Sequence, residues 1–491
     1  MNDICQDISP DKNVYLDQLK QLIKFSSDIR IFNMNKKLTA VYISSLINKT
    51  MLQDGILSPI KKSCSEKVSP EELLWQITVG DANLVHEMKQ AVHSLLTGGV
   101  LIHVEGYSQL ASIVIPSETS RSLAKPENES QVIGAQLAFT ESMDTNISLV
   151  RKYVANPNLC NDQLSVGNET NTPVSVLYID GIASEEMVTT LKQRISSLKV
   201  NSLLDSSTLA QLIEDNSLTI FPQMVLTERP DRICSNLLDG KIAVIVDGSS
   251  LAISCPQSFI EFFQSMEDLN VRWHIATFFR LLRMAAMFIS VFFTAVYVAA
   301  LTFHYEVIPQ PLLIPLSESR SRVPFPPIFE ALLLEVIIEL LREAGARLPT
   351  KVGQTMGIVG GIVIGTAAVD AGFTSNILLI IVALGALSSF TTPSYMMGNV
   401  IRIIRFPLIL LAGFWGFYGV MFGFCFLLIH LLKQTSLGSP YLNPFYPPRF
   451  ADWKDNIIRL PLSVTNNRPS LGRPESQVKY SKDVGKQKDT K

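Results

Sequence analysis

GQTMGIVGGIVIGTAAVDAG, residues 353–372, holds glycines at Gly353, Gly357, Gly361 and Gly365, each four residues after the last. On a helix a four-residue step keeps side chains on one face. One face of this stretch is therefore almost bare, and Ala368 and Gly372 extend it. In water each interior glycine costs about 1 kcal/mol relative to alanine. In a membrane the same stripe lets a second helix come close. The opposite face reads Met356, Val359, Val363, Thr366 and Asp370: apolar in the middle, then hydroxylated, then acidic. We expect a helix that packs its glycines against neighbours and turns the other face to a pore. The competing expectation is that this face meets lipid and that Asp370 is an interfacial acid.

The chain has 491 residues and a formal net charge of −2, so nothing in it points to nucleic acid. Mean hydropathy is +0.25, high for a soluble protein, and the excess lies in one third of the chain. The cysteines, Cys5, Cys64, Cys160, Cys234, Cys255 and Cys425, have neither disulfide-framework nor zinc-site spacing and read as free thiols. The polar, acidic N-terminus lacks a basic start and an apolar run, so no cleavable signal is expected. No HExxH, P-loop or nucleophile motif is present, so no enzyme, cofactor or metal is expected.

Working outward, residues 1–28 read as a lead-in. Residues 29–135 and 136–270 read as two related α/β subdomains. Two pairs of β-branched runs carry the duplication: Ala40–Ile47 with Val176–Ile182, and Gly99–Gly106 with Gly240–Gly248. A helix follows the first run of each pair, clearest after the N-cap Ser184 with Glu185 and Glu186 behind it. Residues 117–131 and 156–172 read as polar linkers. Thr227-Glu228-Arg229-Pro230-Asp231-Arg232 is either a partner or ligand site or, the blander expectation on local grounds, a solvated loop of weak ion pairs.

Residues 271–432 read as a helical membrane domain. Arg272, Trp273, Arg280 and Arg283 stand ahead of the uncharged span 284–303, which puts the N-terminal domain on the cytoplasmic side. Further spans are expected near 354–370, 375–392 and 406–432. Arg402 and Arg405 are taken as interface marks. Residues 328–346 read as an amphipathic helix that does not fully cross, because Glu335, Glu339, Arg342 and Glu343 form a polar stripe that lipid would not tolerate. If it crosses, five spans leave the lysine-rich tail outside; if not, four spans turn the two arginines outward, and either choice strains the charge rule. Residues 433–491 read as a cytoplasmic tail, disordered beyond about 463.

Several strings together resemble the A subunits of bacterial spore germinant receptors. The membrane half carries FHYE at 303–306, VPFPP at 323–327, ELLREAG at 339–345, RLP at 347–349, IVGGIVIG at 358–365 and PSY at 393–395. The soluble half carries FTES at 139–142, YIDG at 178–181, TERPD at 227–231 and LDG at 238–240. The likeness covers about 139–447. It implies a multi-pass protein of the spore inner membrane with a two-part cytoplasmic domain. It also implies a transporter-like B subunit and a lipoprotein C subunit as partners, and self-association into a nutrient-gated, ion-conducting ring lined by the glycine-rich helix. Three roles are weighed. The first is the channel subunit, with rings of Val359 and Val363 as the constriction and Asp370 as a cation-favouring mouth. The second is a non-conducting assembly subunit, in which Glu228, Arg229, Asp231, Glu335, Glu339 and Arg342 are candidate partner or regulatory contacts. The third is the paralogous component that accompanies the dipicolinate-release machinery.

Overall fold

The computed structural model describes residues 7–24, 26–35, 37–62, 69–77, 79–117, 125–347, 361, 363, 365–461 and 464–479. The N-terminal half is α/β, built on two five-stranded sheets. The first comprises β1 (Ile29–Asn35), β2 (Leu38–Ile43), β3 (Asp81–Val85), β4 (Gly99–Val104) and β5 (Leu110–Val114). The second comprises β6 (Leu159–Val166), β7 (Thr172–Ile179), β8 (Val225–Thr227), β9 (Ile242–Val246) and β10 (Ala252–Cys255). Their strand orders are β1-β2-β4-β5-β3 and β6-β7-β9-β10-β8, which is one topology used twice. Every pairing is antiparallel. The runs matched in sequence fall on equivalent strands, β2 with β7 and β4 with β9.

β4 and β9 are buried along their whole length, because helices cover both faces of each sheet. Helices Met88–Leu96 and Pro230–Leu238 occupy matching places, packing Leu95 and Leu237 into equivalent cores. Gly106 and Gly248 both take positive φ, 93° and 84°, where β4 turns into β5 and β9 into β10. The lead-in is part of this repeat. Helix Lys12–Leu22 corresponds to Met143–Tyr153, and its Tyr15 stacks on His103 at 4.7 Å with both rings buried. Its apolar positions Tyr15, Leu19 and Ile23 recur at four-residue steps, which suffices to seat it on the sheet.

The two subdomains are locked by Asp28 and Arg151, each 3% exposed. Arg151 donates from Nε to Asp28 Oδ2 at 2.7 Å and from Nη2 to Oδ1 at 2.8 Å. Ser26 and Ser45 donate to the same carboxylate. Burial alone would raise the Asp28 pKa, but the Arg151 charge and these hydrogen bonds outweigh it and hold the carboxyl below its usual range.

The C-terminal half is a bundle of apolar helices. Trp273–Phe303 leaves the α/β domain and runs away from it. Pro327–Arg347 returns: Ile328 meets Gly413 at the far end, and Arg342 meets Ser389 and Phe390 at the domain end. It thus runs the full length of the bundle, about 31 Å for its 21 residues. Of the sequence stripe that argued against crossing, Glu335 and Arg342 are turned onto other helices, whereas Glu339 is half-buried and Glu343 is exposed and pairs with Arg347 on its own helix. Residues 361, 363 and 365–370 are helical and end beside Arg322, whose carbonyl lies 2.8 Å from where a Cβ on Gly372 would sit. Asn376–Ser389 runs back to the domain end.

Helical residues Tyr395–Lys433 do not form one rod. Gly416, at φ 57° and ψ −138°, breaks the helix. A Cβ on Gly419 would strike the Leu411 carbonyl, and one on Gly423 would strike the Leu408 side chain. In a continuous helix residues eight apart are separated by about 12 Å, so the chain has reversed. Residues 395–415 and 417–433 form a tight antiparallel hairpin whose tip, Gly416, abuts His304. This corrects the single span expected at 406–432. The run is too long for one crossing, and Gly419 and Gly423 allow the two arms to touch.

The tail returns along the α/β domain. Thr435–Ser436 pairs with Ser439–Pro440, and the buried Tyr441 hydroxyl donates to the Pro222 carbonyl at 2.6 Å. Residues 464–479, read from composition as disordered, are held by backbone partners. Arg468 Nε donates to the Leu238 carbonyl at 2.8 Å, and the Glu475 amide to Ile182 at 3.0 Å.

Replacing Arg151 by Met leaves Asp28 buried without its cation. The expected loss of stability is about 3–5 kcal/mol, measured by denaturant unfolding of the α/β half. The contribution of this pair is complete above the unfolded Asp value of about 3.9. It is lost as pH falls through the depressed folded value, so the parent chain loses this increment in acid and the variant has none to lose.

Candidate functional site

Three glutamates on helix Pro327–Arg347 each meet a cation; Glu330 and Glu335 are buried and Glu339 is half-buried. Nearest the far end, Glu330 pairs with Arg320 at 3.1 Å and accepts from the Ser375 amide at 3.2 Å. Midway, Glu335 pairs with Arg405 at 2.5 Å and accepts from the Thr294 hydroxyl at 3.0 Å. Toward the domain end, Glu339 pairs with Arg402 at 2.9 Å and lies 3.7 Å from Arg342. Arg342 also donates to the Ser389 hydroxyl at 3.1 Å and sits 4.4 Å from the Phe390 ring centroid.

Arg405 is the hub of this ladder. It donates to the Ser290 carbonyl at 2.9 Å, the Ser290 hydroxyl at 2.7 Å, Glu335 and the Gly385 carbonyl at 3.2 Å. One guanidinium therefore ties its own helix to three others. Its five N–H donors suit this use where a lysine would not. Arg402 and Arg405, read from sequence as interface marks, lie inside the bundle as partners of Glu339 and Glu335. The missed signal is the charge match between two apolar stretches: acids at 335 and 339, arginines at 402 and 405.

The glycine-rich stretch borders this ladder. Gly353, Met356, Gly357 and Val359 lie outside the described residues. Gly365 is buried, with Leu379 at 3.6 Å from where a Cβ would sit, whereas a Cβ at Gly361 would meet nothing within 4 Å. Val363 is 56% exposed, and Thr366 and Asp370 are exposed. Within one chain, then, the glycine side at Gly365 meets a helix and the Val363–Thr366–Asp370 side is uncovered.

Glu228, Arg229 and Asp231 are not in a solvated loop. Arg229 is 1% exposed and donates to Asp231 at 2.6 Å and to the Glu129 and Ala135 carbonyls. Glu228 accepts from the Asn128 and Glu129 amides at 2.7 and 2.8 Å. Arg232 pairs with Glu129 at 2.7 Å. The motif clamps the connection between the two subdomains beside the Phe390–Pro393 turn of the bundle. Below it, Asp268 receives Arg280 at 3.2 Å and Arg283 at 2.8 Å, so the first bundle helix is docked by the basic residues that precede its apolar part.

The profile of the Bacillus/Clostridium GerA spore germination protein matches residues 17–471. This chain belongs to the GerA family. Spore germination protein GerQA of Bacillus cereus is 44% identical over 477 residues, covering 96% of this chain and 95% of that protein. Spore germination protein GerIA of Bacillus cereus is 42% identical over 474 residues, covering 96% of this chain and 71% of that protein. Among solved structures, the N-terminal domain of the A subunit of the Bacillus megaterium spore germinant receptor GerK3 matches at 28% identity and a TM-score of 0.41. That match covers 52% of this chain and 99% of that one. Among the described residues of the GerA chain, Trp273–Phe303 and the helical stretch Tyr395–Lys433, which is broken at Gly416, are long and apolar enough to cross a membrane.

Arg405→Met strands Glu335 inside the bundle and is expected to cost about 3–5 kcal/mol. The double variant Glu335→Gln, Arg405→Met restores most of this, because an amide needs no counter-charge. Thermal unfolding of the detergent-solubilised protein checks both.

Proposed function

We propose that this GerA chain is the A subunit of a spore germinant receptor and conducts ions when nutrient is sensed. Its bundle crosses the spore inner membrane and self-associates into a ring around a pore. The observation that carries this reading is the uncovered Val363–Thr366–Asp370 face on a helix whose Gly365 packs inward. A ring would place that face on a lumen, with Met356 and Val359 continuing it by helical spacing. Val363 then forms part of the dewetting constriction and Asp370 a cation-favouring ring.

The helices alternate direction through the bundle. Counting the stretch that ends in the glycine-rich helix, six passes bring both ends to one side. Arg280, Arg283, Arg342, Arg402 and Lys433 all lie at the domain end, which supports a cytoplasmic α/β domain and tail. The hairpin at Gly416 removes the strain between span count and charge rule. The family resemblance supplies the remaining partners, a transporter-like B subunit and a lipoprotein C subunit. A non-conducting role in assembly and signal transfer is the second reading. It is favoured by the ties from the α/β domain to the bundle through Asp268 and through the Glu129 connection.

Purified protein in liposomes tests the two. Val363→Ser is expected to leak ions without nutrient, and Asp370→Asn to lower cation over anion preference. Absence of flux in parent and variants, with oligomers confirmed in the same liposomes, sinks the pore and leaves the assembly role.

A further inference from the structure

The α/β domain carries an apolar protrusion that its own fold leaves uncovered. In the loop after helix Ser206–Ile213, Leu218 is 92% exposed and Ile220 49%, and Leu212 on that helix is 41% exposed. The loop is anchored rather than floppy. Thr219 shares a 2.7 Å hydrogen bond with the His430 ring, and Phe221 lies 5.8 Å from the same ring. His430 is in the last turn of the hairpin, three residues before its end at Lys433. Leu218 is therefore fixed at the level where the hairpin emerges from the bundle.

A groove of about 590 Å³ runs between this loop and the start of the hairpin. Its helix wall is one face, Met396, Asn399, Val400 and Ile403, at three- and four-residue steps. The opposite wall is Leu212, Ile220 and Phe221, with Gln211 at the rim. The groove is mixed: beside these apolar side chains it is lined by the Asn399 and Gln211 amides, the hydroxyls of Thr208, Ser217 and Thr219, and the Glu214 carboxyl. Its apolar wall continues onto the outer surface of the bundle, where Ile403 is 57%, Ile429 53% and Phe426 70% exposed. A second soluble protein would need a surface that also follows this lipid-like face; an amphiphile with an acyl chain and a polar head matches it as it stands.

We infer that this loop and groove seat a membrane phospholipid at the surface of the leaflet nearest the α/β domain. Leu218 and Ile220 dip to the headgroup–acyl boundary, as amphipathic elements do, and an acyl chain lies along Val400 and Ile403. This rests on the reading that the bundle spans a bilayer. Through Thr219 and His430 the loop would make the second subdomain, not only the helices, sensitive to the leaflet beside it.

Tryptophan probes in nanodiscs test this. Leu218→Trp and Ile220→Trp are compared with Phe422→Trp, a 70% exposed position within the hairpin. Each is read against the parent chain, using phosphatidylcholine brominated either near the headgroup or near the chain ends. Both loop probes are expected to lose more fluorescence to headgroup-proximal bromine, and Phe422→Trp to lose more to deeper bromine. If Phe422→Trp is quenched by bromolipid while the loop probes respond only to aqueous acrylamide, the lipid seat is wrong and the membrane reading stands. Loop probes shielded from both quenchers would mean that a protein covers the patch, which also overturns the seat. If no probe, Phe422→Trp included, responds to bromolipid, both readings fail.

Discussion

The Arg405 guanidinium, held within 2.5 Å of Glu335 and bonded to two other helices, fixes the bundle. Apolar helices attract one another weakly and without direction in lipid or in detergent, so packing alone allows many registers. A buried ion pair allows one. Removing either partner would strand a charge at a cost of several kcal/mol, and sliding any of the four helices by a turn does the same. Gly385 belongs to this constraint: its backbone carbonyl accepts from the guanidinium at 3.2 Å. Glu330 with Arg320, and Glu339 with Arg402, repeat the device toward the two ends.

The same logic joins the halves of the molecule. Asp268 gathers Arg280 and Arg283 at the neck. The Thr227–Arg232 motif clamps the inter-subdomain connection next to the Phe390–Pro393 turn. The tail leaves the hairpin at Lys433 and lies against the second subdomain, ending with an ion pair between Lys479 and Asp239. Burial pushes the Asp239 carboxyl above its usual range in spite of that partner. The bundle and the second subdomain are thus joined at three separate places.

Much of the α/β half was legible in the sequence. The alternation and β-branching of Val176–Ile179 and Ile242–Val246 marked strands, and their likeness to Ala40–Ile43 and Gly99–Val104 marked the repeat. The lead-in helix was undervalued because its signal is only Tyr15, Leu19 and Ile23, which becomes meaningful once a sheet lies beneath it. The bundle was harder. Hydropathy counts apolar residues but does not show direction, so residues 406–432 looked like one long span. The reversal resides in a single positive φ at Gly416 and in glycines spaced for contact between arms. Likewise the stripe at Glu335, Glu339 and Arg342 forbade lipid without saying which protein surface it faced. Its partners lay some 60 to 70 residues away in sequence. The candidate pore face was legible as a pattern, whereas the ladder beside it was not, because pairing across helices leaves no local periodicity.

The central claim is that the chain doubles back at Gly416 and so delivers its tail to the α/β domain. Distance measurement between spin labels at positions 395 and 433 tests it most directly. The hairpin places its arms side by side, with helix axes about 8–10 Å apart, so the labels should report a separation of about 20 Å or less once their linkers are included. A continuous helix over the same residues would hold them about 57 Å apart. A distribution centred near that longer value would contradict the reversal and everything built on it.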